Sequence, residues 1–126
     1  MQLQTVCDPK LLGILKEMLA DLIDADNHWM VSASYLEYLD ADCAGRRLYL
    51  APVHFHVDSA WTIVLAEMGV ELNVLMTPNP KGRRFRVRIP YDQIYNVARK
   101  PGGGLFTQQD SVYYDLSKLV MPPING

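Results

Sequence analysis

Apolar side chains recur at helical spacing over one long stretch of this chain, near its start. Leu11, Leu12, Ile14, Leu15, Met18, Leu19, Leu22 and Ile23 form a broad stripe, which predicts an amphipathic helix. Lys16, Glu17, Ala20 and Asp24 take the opposite face. Asp8 is placed to cap this helix, and Pro9 suits its first position, where a missing N–H costs nothing. Asp21, Asp24 and Asp26 crowd the far end, where the helix dipole disfavours anions. The helix is therefore expected to end near Ala25 to Asn27.

The chain then changes period. His28 to Tyr38 is rich in β-formers, "DADCAG" is a turn, and Arg46 to Val53 reads as a second strand. Trp61 to Ala66 and Val70 to Met76 flank the short turn "EMG", a hairpin signal. "TPNPKG" (Thr77 to Gly82) is a loop by composition. In "RRFRVRIP", Phe85, Val87 and Ile89 alternate with Arg84, Arg86 and Arg88, which puts the three arginines on one solvated face. "YDQIYNVAR" reads as a short helix or turn behind Pro90. "PGGG" breaks it, and "LFTQ" reads as one more short strand. One helix followed by five or six antiparallel strands predicts an α+β, mainly β chain, a compact barrel or sandwich with the helix packed against it.

At 126 residues the chain is expected to be one domain with a real core, and 49% apolar and 21% charged residues are ordinary for a globular protein. A net charge of -2 does not favour a nucleic-acid partner. Cys7 and Cys43 form no CxxC, so neither a disulfide framework nor a zinc site is signalled. No apolar run approaches the length of a membrane span, and no signal peptide opens the sequence. A reducing cytoplasm is the expected setting, with no membrane partner.

Two short motifs bear on chemistry. "LADLIDADN" (Leu19 to Asn27) differs at two positions from LAGLIDADG, the signature helix of a class of homing endonucleases, and Asp26 would be its metal-holding acid. The signature needs glycine where Asp21 and Asn27 stand. Asp21 at a tight helix interface would be a costly buried charge. An amphipathic helix rich in Leu, Ile and Asp produces such strings by chance. His54 and His56 form an HxH with Asp58 two residues on. Alternation would point all three to one side, a geometry able to hold a metal. A polar strand face is the commoner origin of this pattern, and no spacing fixes a further ligand, so no metal or cofactor is expected. No nucleophile elbow or phosphate loop is present, since "PGGG" lacks the Lys-Ser/Thr that follows such a loop. Nothing beyond the weak nuclease signal points to an enzyme.

A resemblance covers more of the chain. "FRVRIPYDQIYNVARKPGGGLF" (Phe85 to Phe106) is similar to a strand ending in V-x-[VI]-P, then a segment with I-Y and A-R, then a Gly-rich turn and Phe. That order belongs to the stringent starvation protein B (SspB) family, adaptors that deliver ssrA-tagged proteins to the ClpXP protease. "LYLAP" (Leu48 to Pro52) resembles that family's L-N-I-A-P strand end, and "WTIVLAEMGVELNVLM" (Trp61 to Met76) its next hairpin. The Leu-rich helix before a His- and Val-containing strand also fits. The match spans about residues 10 to 107. It implies a peptide-binding domain over 1–107 with an Sm-like β fold, followed by a C-terminal tail over 108–126. It implies a non-enzymatic adaptor that holds an extended tag in a groove drawing on Leu50, Ala51, Phe55, Asn73, Val74, Met76 and Tyr95. It also implies a homodimer through the helix, with Leu11, Leu15, Met18 and Leu22 at the interface. Val74 stands where the family has a small residue. "APVHFHVDSAW" is longer than the corresponding family loop. In place of a long tail ending in a ClpX-docking peptide the sequence offers only "DSVYYDLSKLVMPPING", in which Leu119, Val120 and Met121 beside Lys118 imitate such a peptide. A divergent binding or competitor protein, of phage origin for instance, that binds without delivering is the alternative on the same scaffold.

Overall fold

Asp8 accepts a hydrogen bond from the Lys10 amide at 2.9 Å, and Pro9 follows at the first helical position. These two residues start helix α1 (Pro9–Asp21) as expected. The structure, a computed structural model, describes residues 7–75 and 82–119. The helix ends earlier than expected, at Asp21, with the Leu22 amide bonded to the Met18 carbonyl. Local bonds turn the chain there. The Asp24 and Asn27 amides donate to the Asp21 and Asp24 carbonyls, and the Asn27 side chain donates to the Asp21 carbonyl at 2.9 Å.

Nine strands follow among the described residues, more than the five or six expected. They are β1 (Asn27–Ala33), β2 (Tyr35–Tyr38), β3 (Arg47–Tyr49), β4 (Val53–Phe55), β5 (Ala60–Leu65), β6 (Gly69–Leu75), β7 (Arg84–Pro90), β8 (Ile94–Pro101) and β9 (Ser111–Tyr114). They form two antiparallel sheets, in the orders β4-β1-β8-β9 and β3-β2-β7-β6-β5. The class is α+β, mainly β, a small sandwich with one helix.

The extra strands arise because long strands bend from one sheet into the other. His28 to Tyr38, expected as one strand, is β1 and β2 divided at Ser34, which is fully buried. Arg46 to Val53 is β3 and β4, divided at Leu50, whose φ is +58°. Tyr91 to Gln93 makes one 3-10 turn, and the chain then runs on as β8, where a helix or turn was expected. The three bends lie side by side. The Leu50 amide donates to the Ser34 carbonyl at 3.0 Å, and the Ser34 amide donates to the Gln93 carbonyl at 2.9 Å. This line of backbone bonds is the shared corner of the two sheets.

The C-terminal part departs from expectation as well. "LFTQ" is not a strand. Residues 108–119, expected to belong to a tail, are part of the fold. β9 pairs with β8, with Val97 opposite Tyr113, and Tyr113 is buried in the core. The Ser34 hydroxyl donates to the Lys118 carbonyl at 3.0 Å, which ties this segment to the corner. The loop expected from Thr77 falls outside the described residues up to Lys81.

The apolar stripe of α1 faces inward. Leu11, Leu15 and Met18 are fully buried and Leu22 is 8% exposed, in one cluster with Trp29, Phe55, Leu72, Ile89 and Ile94. This corrects the expected dimer interface. These four side chains are already packed inside the chain's own core and cannot meet a second copy while the helix stays on its sheets.

Candidate functional site

The corner creates a hollow that joins expected site positions. Because β3 belongs to one sheet and β4 to the other, the Leu50–Pro52 bend opens a gap between this hairpin arm and the end of the β5–β6 hairpin. Leu48 on β3 and Ala51, Pro52, Val53 and His54 on the bend and β4 form one wall. Ser59, Val74 and Leu75 form the other. The cleft holds about 290 Å³, and none of these eight side chains is an acid, lysine or arginine. The Ser59 hydroxyl donates to the His54 carbonyl at 2.9 Å, and the Leu75 amide donates to the Ser59 carbonyl at 3.3 Å. These bonds hold the two walls together at one end.

β3 and β4 are edge strands, each paired on one side only, and β5 is the edge on the other flank. An edge presents backbone N–H and C=O groups to any extended chain that lies along it. An uncharged cleft beside such edges can take an extended apolar segment by strand addition, with pockets for alternate side chains.

The expected groove residues divide three ways. Ala51 and Val74 meet in the cleft, and Leu50 stands beside Ala51 on the bend, 39% exposed. Phe55 is fully buried, Tyr95 lies on β8, and Asn73 is on the opposite face of β6 from Val74. None of these three lines the cleft. Met76 falls outside the described residues. Adjacent strand residues point to opposite faces, so Asn73 and Val74 cannot both face one groove. That alternation was a signal present in the sequence. Leu48, Pro52, Val53, His54, Ser59 and Leu75 were missed, because which edge faces which hairpin depends on the corner.

The arginine row is on one face, and each member has a neighbour there. Arg84 stacks over the Trp61 ring at 3.9 Å. Arg86 donates to the Thr62 carbonyl at 2.7 Å and to Asn73 Oδ1 at 3.3 Å. Arg88 pairs with Glu71 at 3.1 Å. The row serves cross-strand pairing. Asp26, the acid of the nuclease signature, is exposed in the turn beyond the end of α1. Asp21 lies within the helix but is bonded by Arg99 Nε at 2.7 Å and Trp29 Nε1 at 2.7 Å. The signature string thus runs from the end of the helix into the turn, and its first departure, Asp21, is engaged by the chain's own fold.

The HxH motif gathers the third histidine. His28 Nδ1 and His54 Nε2 are 3.1 Å apart, and the His28 and His56 rings stack at 3.9 Å. Asp58 is 3.6 Å from His56, at the exposed end of the turn. Burial, then the neighbouring His28 and His56, hold the His54 imidazole below its ordinary range.

No helix among the described residues is long and apolar enough to cross a membrane. No family model and no curated protein matches the chain.

Proposed function

We propose that this protein is a non-enzymatic peptide-binding adaptor of the SspB type, which captures ssrA-type degradation tags and presents them to the ClpX unfoldase. One observation carries the reading. Ala51 and Val74, taken from two separated motifs of the resemblance, line one uncharged cleft beside unpaired strand edges. The resemblance implies an extended tag, and a cleft without charged side chains beside strand edges suits an extended segment. Main-chain pairing to an edge supplies affinity and the pockets supply selectivity. Delivery then works by tethering, which raises the local concentration of cargo at the protease.

A second reading is favoured by Lys118. Its carbonyl is bonded by Ser34 and its ammonium lies 5.5 Å from the Tyr113 ring. Lys118 is therefore engaged by the fold and is not presented as the basic part of a docking peptide. In that reading the cleft binds tags without delivering them, as a competitor would. Val120 and Met121 of the expected docking segment fall outside the described residues.

Fluorescence anisotropy with a labelled ssrA peptide tests the binding step. Saturable binding, weakened at least about tenfold by Ala51→Arg, is expected. Ala51 is half-buried at the cleft wall, so circular dichroism of the variant separates loss of the cleft from loss of the fold. Absence of binding at about 50 µM peptide overturns the tag-binding reading. Recovery of ClpX with the bound protein then separates the adaptor from the competitor.

A further inference from the structure

We propose that His28 and His54 form a binding site for a divalent transition-metal ion of the zinc and copper class, held between Nδ1 of His28 and Nε2 of His54. The site stands on strand register and ring geometry and not on the peptide-binding reading, although His54 also borders the cleft. The chain has three histidines, and the fold brings all of them to one patch. Met30 lies opposite His54 in the β1–β4 ladder, while Trp29, Val31, Val53 and Phe55 point into the core. Alternation therefore places His28 and Met30 of β1 and His54 of β4 on the same outward face, and His56, just past the end of β4, stacks on His28 there. Both proposed ligands sit on paired strands, which fixes their backbones before any ion arrives.

The separations suit coordination. Two imidazole nitrogens about 2.05 Å from one tetrahedral ion lie about 3.3 Å apart, with the ring centroids about 5.2 Å apart. Here the nitrogens are 3.1 Å apart and the centroids 5.2 Å apart. Imidazole nitrogen is a preferred donor for zinc and copper. Only the neutral imidazole binds a metal. In the ion's absence the two nitrogens share one proton in a hydrogen bond. Binding moves that proton to the other nitrogen of its own ring, and two metal–nitrogen bonds replace one hydrogen bond.

His56 is a positioning residue here, not a ligand. Its Nε2 is 2.7 Å from the Ala25 carbonyl and its Nδ1 accepts from the Asp58 amide at 3.2 Å, so both nitrogens are already used. Its ring lies parallel to that of His28, within 4°. On the other side Gly103 packs so closely that a Cβ there would fall 3.0 Å from His28 Nε2. Gly103 has φ +75°, a conformation that favours glycine. The His28 ring is thus boxed with Nδ1 toward His54, whose own ring is flanked by the edge-on Phe106. Among the described residues no three His, Cys, Asp or Glu side chains converge on one point, so water would complete the coordination shell.

The test is a zinc titration of the full chain at pH 7.5, read by the ring-nitrogen NMR shifts of the histidines and by calorimetry. One ion per chain is expected, with His28 Nδ1 and His54 Nε2 moving together and the His56 nitrogens staying near their starting shifts. His28→Gln and His54→Gln should each weaken binding at least about tenfold, and His56→Gln less. The wild-type shifts stand by themselves if a variant folds poorly. No shift up to about 1 mM zinc, or binding undiminished in both ligand variants, overturns the proposal and leaves a plain imidazole hydrogen bond. A loss in His56→Gln as large as in His28→Gln overturns the two-ligand assignment.

Discussion

Asp21 ends a helix whose dipole disfavours it, and it is kept there by an arginine. Arg99 of β8 grips its carboxylate through Nε at 2.7 Å and Nη2 at 3.2 Å, and the Trp29 indole adds a third donor. The Arg99 hydrogen bond, opposed by some burial and helped by Trp29, holds the carboxyl below its ordinary 3.8. A carboxylate whose folded value is lowered stabilises the fold above the unfolded value, and that contribution disappears as pH falls through the folded one. Asp21→Asn should therefore lower stability by about 1–2 kcal/mol at pH 7, with the gap to wild type closing below about pH 4, measured by urea unfolding across pH. Gly69 is a second residue with one tolerable identity. A Cβ there would run into the Ile89 carbonyl oxygen of the paired strand, which is backbone and has little room to yield. Gly69→Ala should cost about 1–3 kcal/mol in the same assay. Asp21 was legible in the sequence as a misplaced charge. Its partner was not, because Arg99 is brought to it only by the β1–β8 pairing, in which Trp29 faces Arg99.

Elements here are set by where strands bend and by what clamps their ends. The β5–β6 turn is held by Tyr91, whose amide donates to the Met68 carbonyl at 3.1 Å and whose hydroxyl donates to the Ala66 carbonyl at 2.6 Å. Burial pushes that phenol up to about 12, so it stays a donor through the physiological range. Tyr91→Phe leaves the Ala66 carbonyl without this bond and should cost about 1–2 kcal/mol, seen as a lower thermal midpoint. The last elements carry stability too. Ending the chain after Thr107 removes β9 and the buried Tyr113 and uncovers one edge of β8, and should leave a protein that melts well below the intact chain by circular dichroism. The helix start, the β5–β6 hairpin and the alternating β7 strand were all legible, because capping residues, short turns and period-two patterns act locally. The bends at Ser34 and Leu50 were not. Ser34 looks like any strand serine, and its burial and bonds to Leu50, Gln93 and Lys118 come from segments far apart in sequence.

At the scale of the whole molecule, one corner shared by two sheets explains both the core and the cleft. Bending the strands there lets a single helix fill the interior, so Leu11, Leu15 and Met18 pack inside where a surface stripe would have offered an interface. The same bend separates β3 from β4 and leaves an uncharged gap against Val74 and Leu75. Two of the eight cleft residues were legible, one on each wall, since Ala51 and Val74 stood in motifs that pointed to peptide binding. Their meeting was not, because it exists only once the strands on either side fold against the corner. The peptide-binding reading therefore makes a positional claim, and amide NMR shifts during titration with an ssrA peptide test it most directly. The account predicts saturable changes concentrated at residues 48–54, at Ser59 and at Val74 and Leu75. Changes centred instead on the outer face around Asn73 and Arg86, or no changes at all, would contradict it.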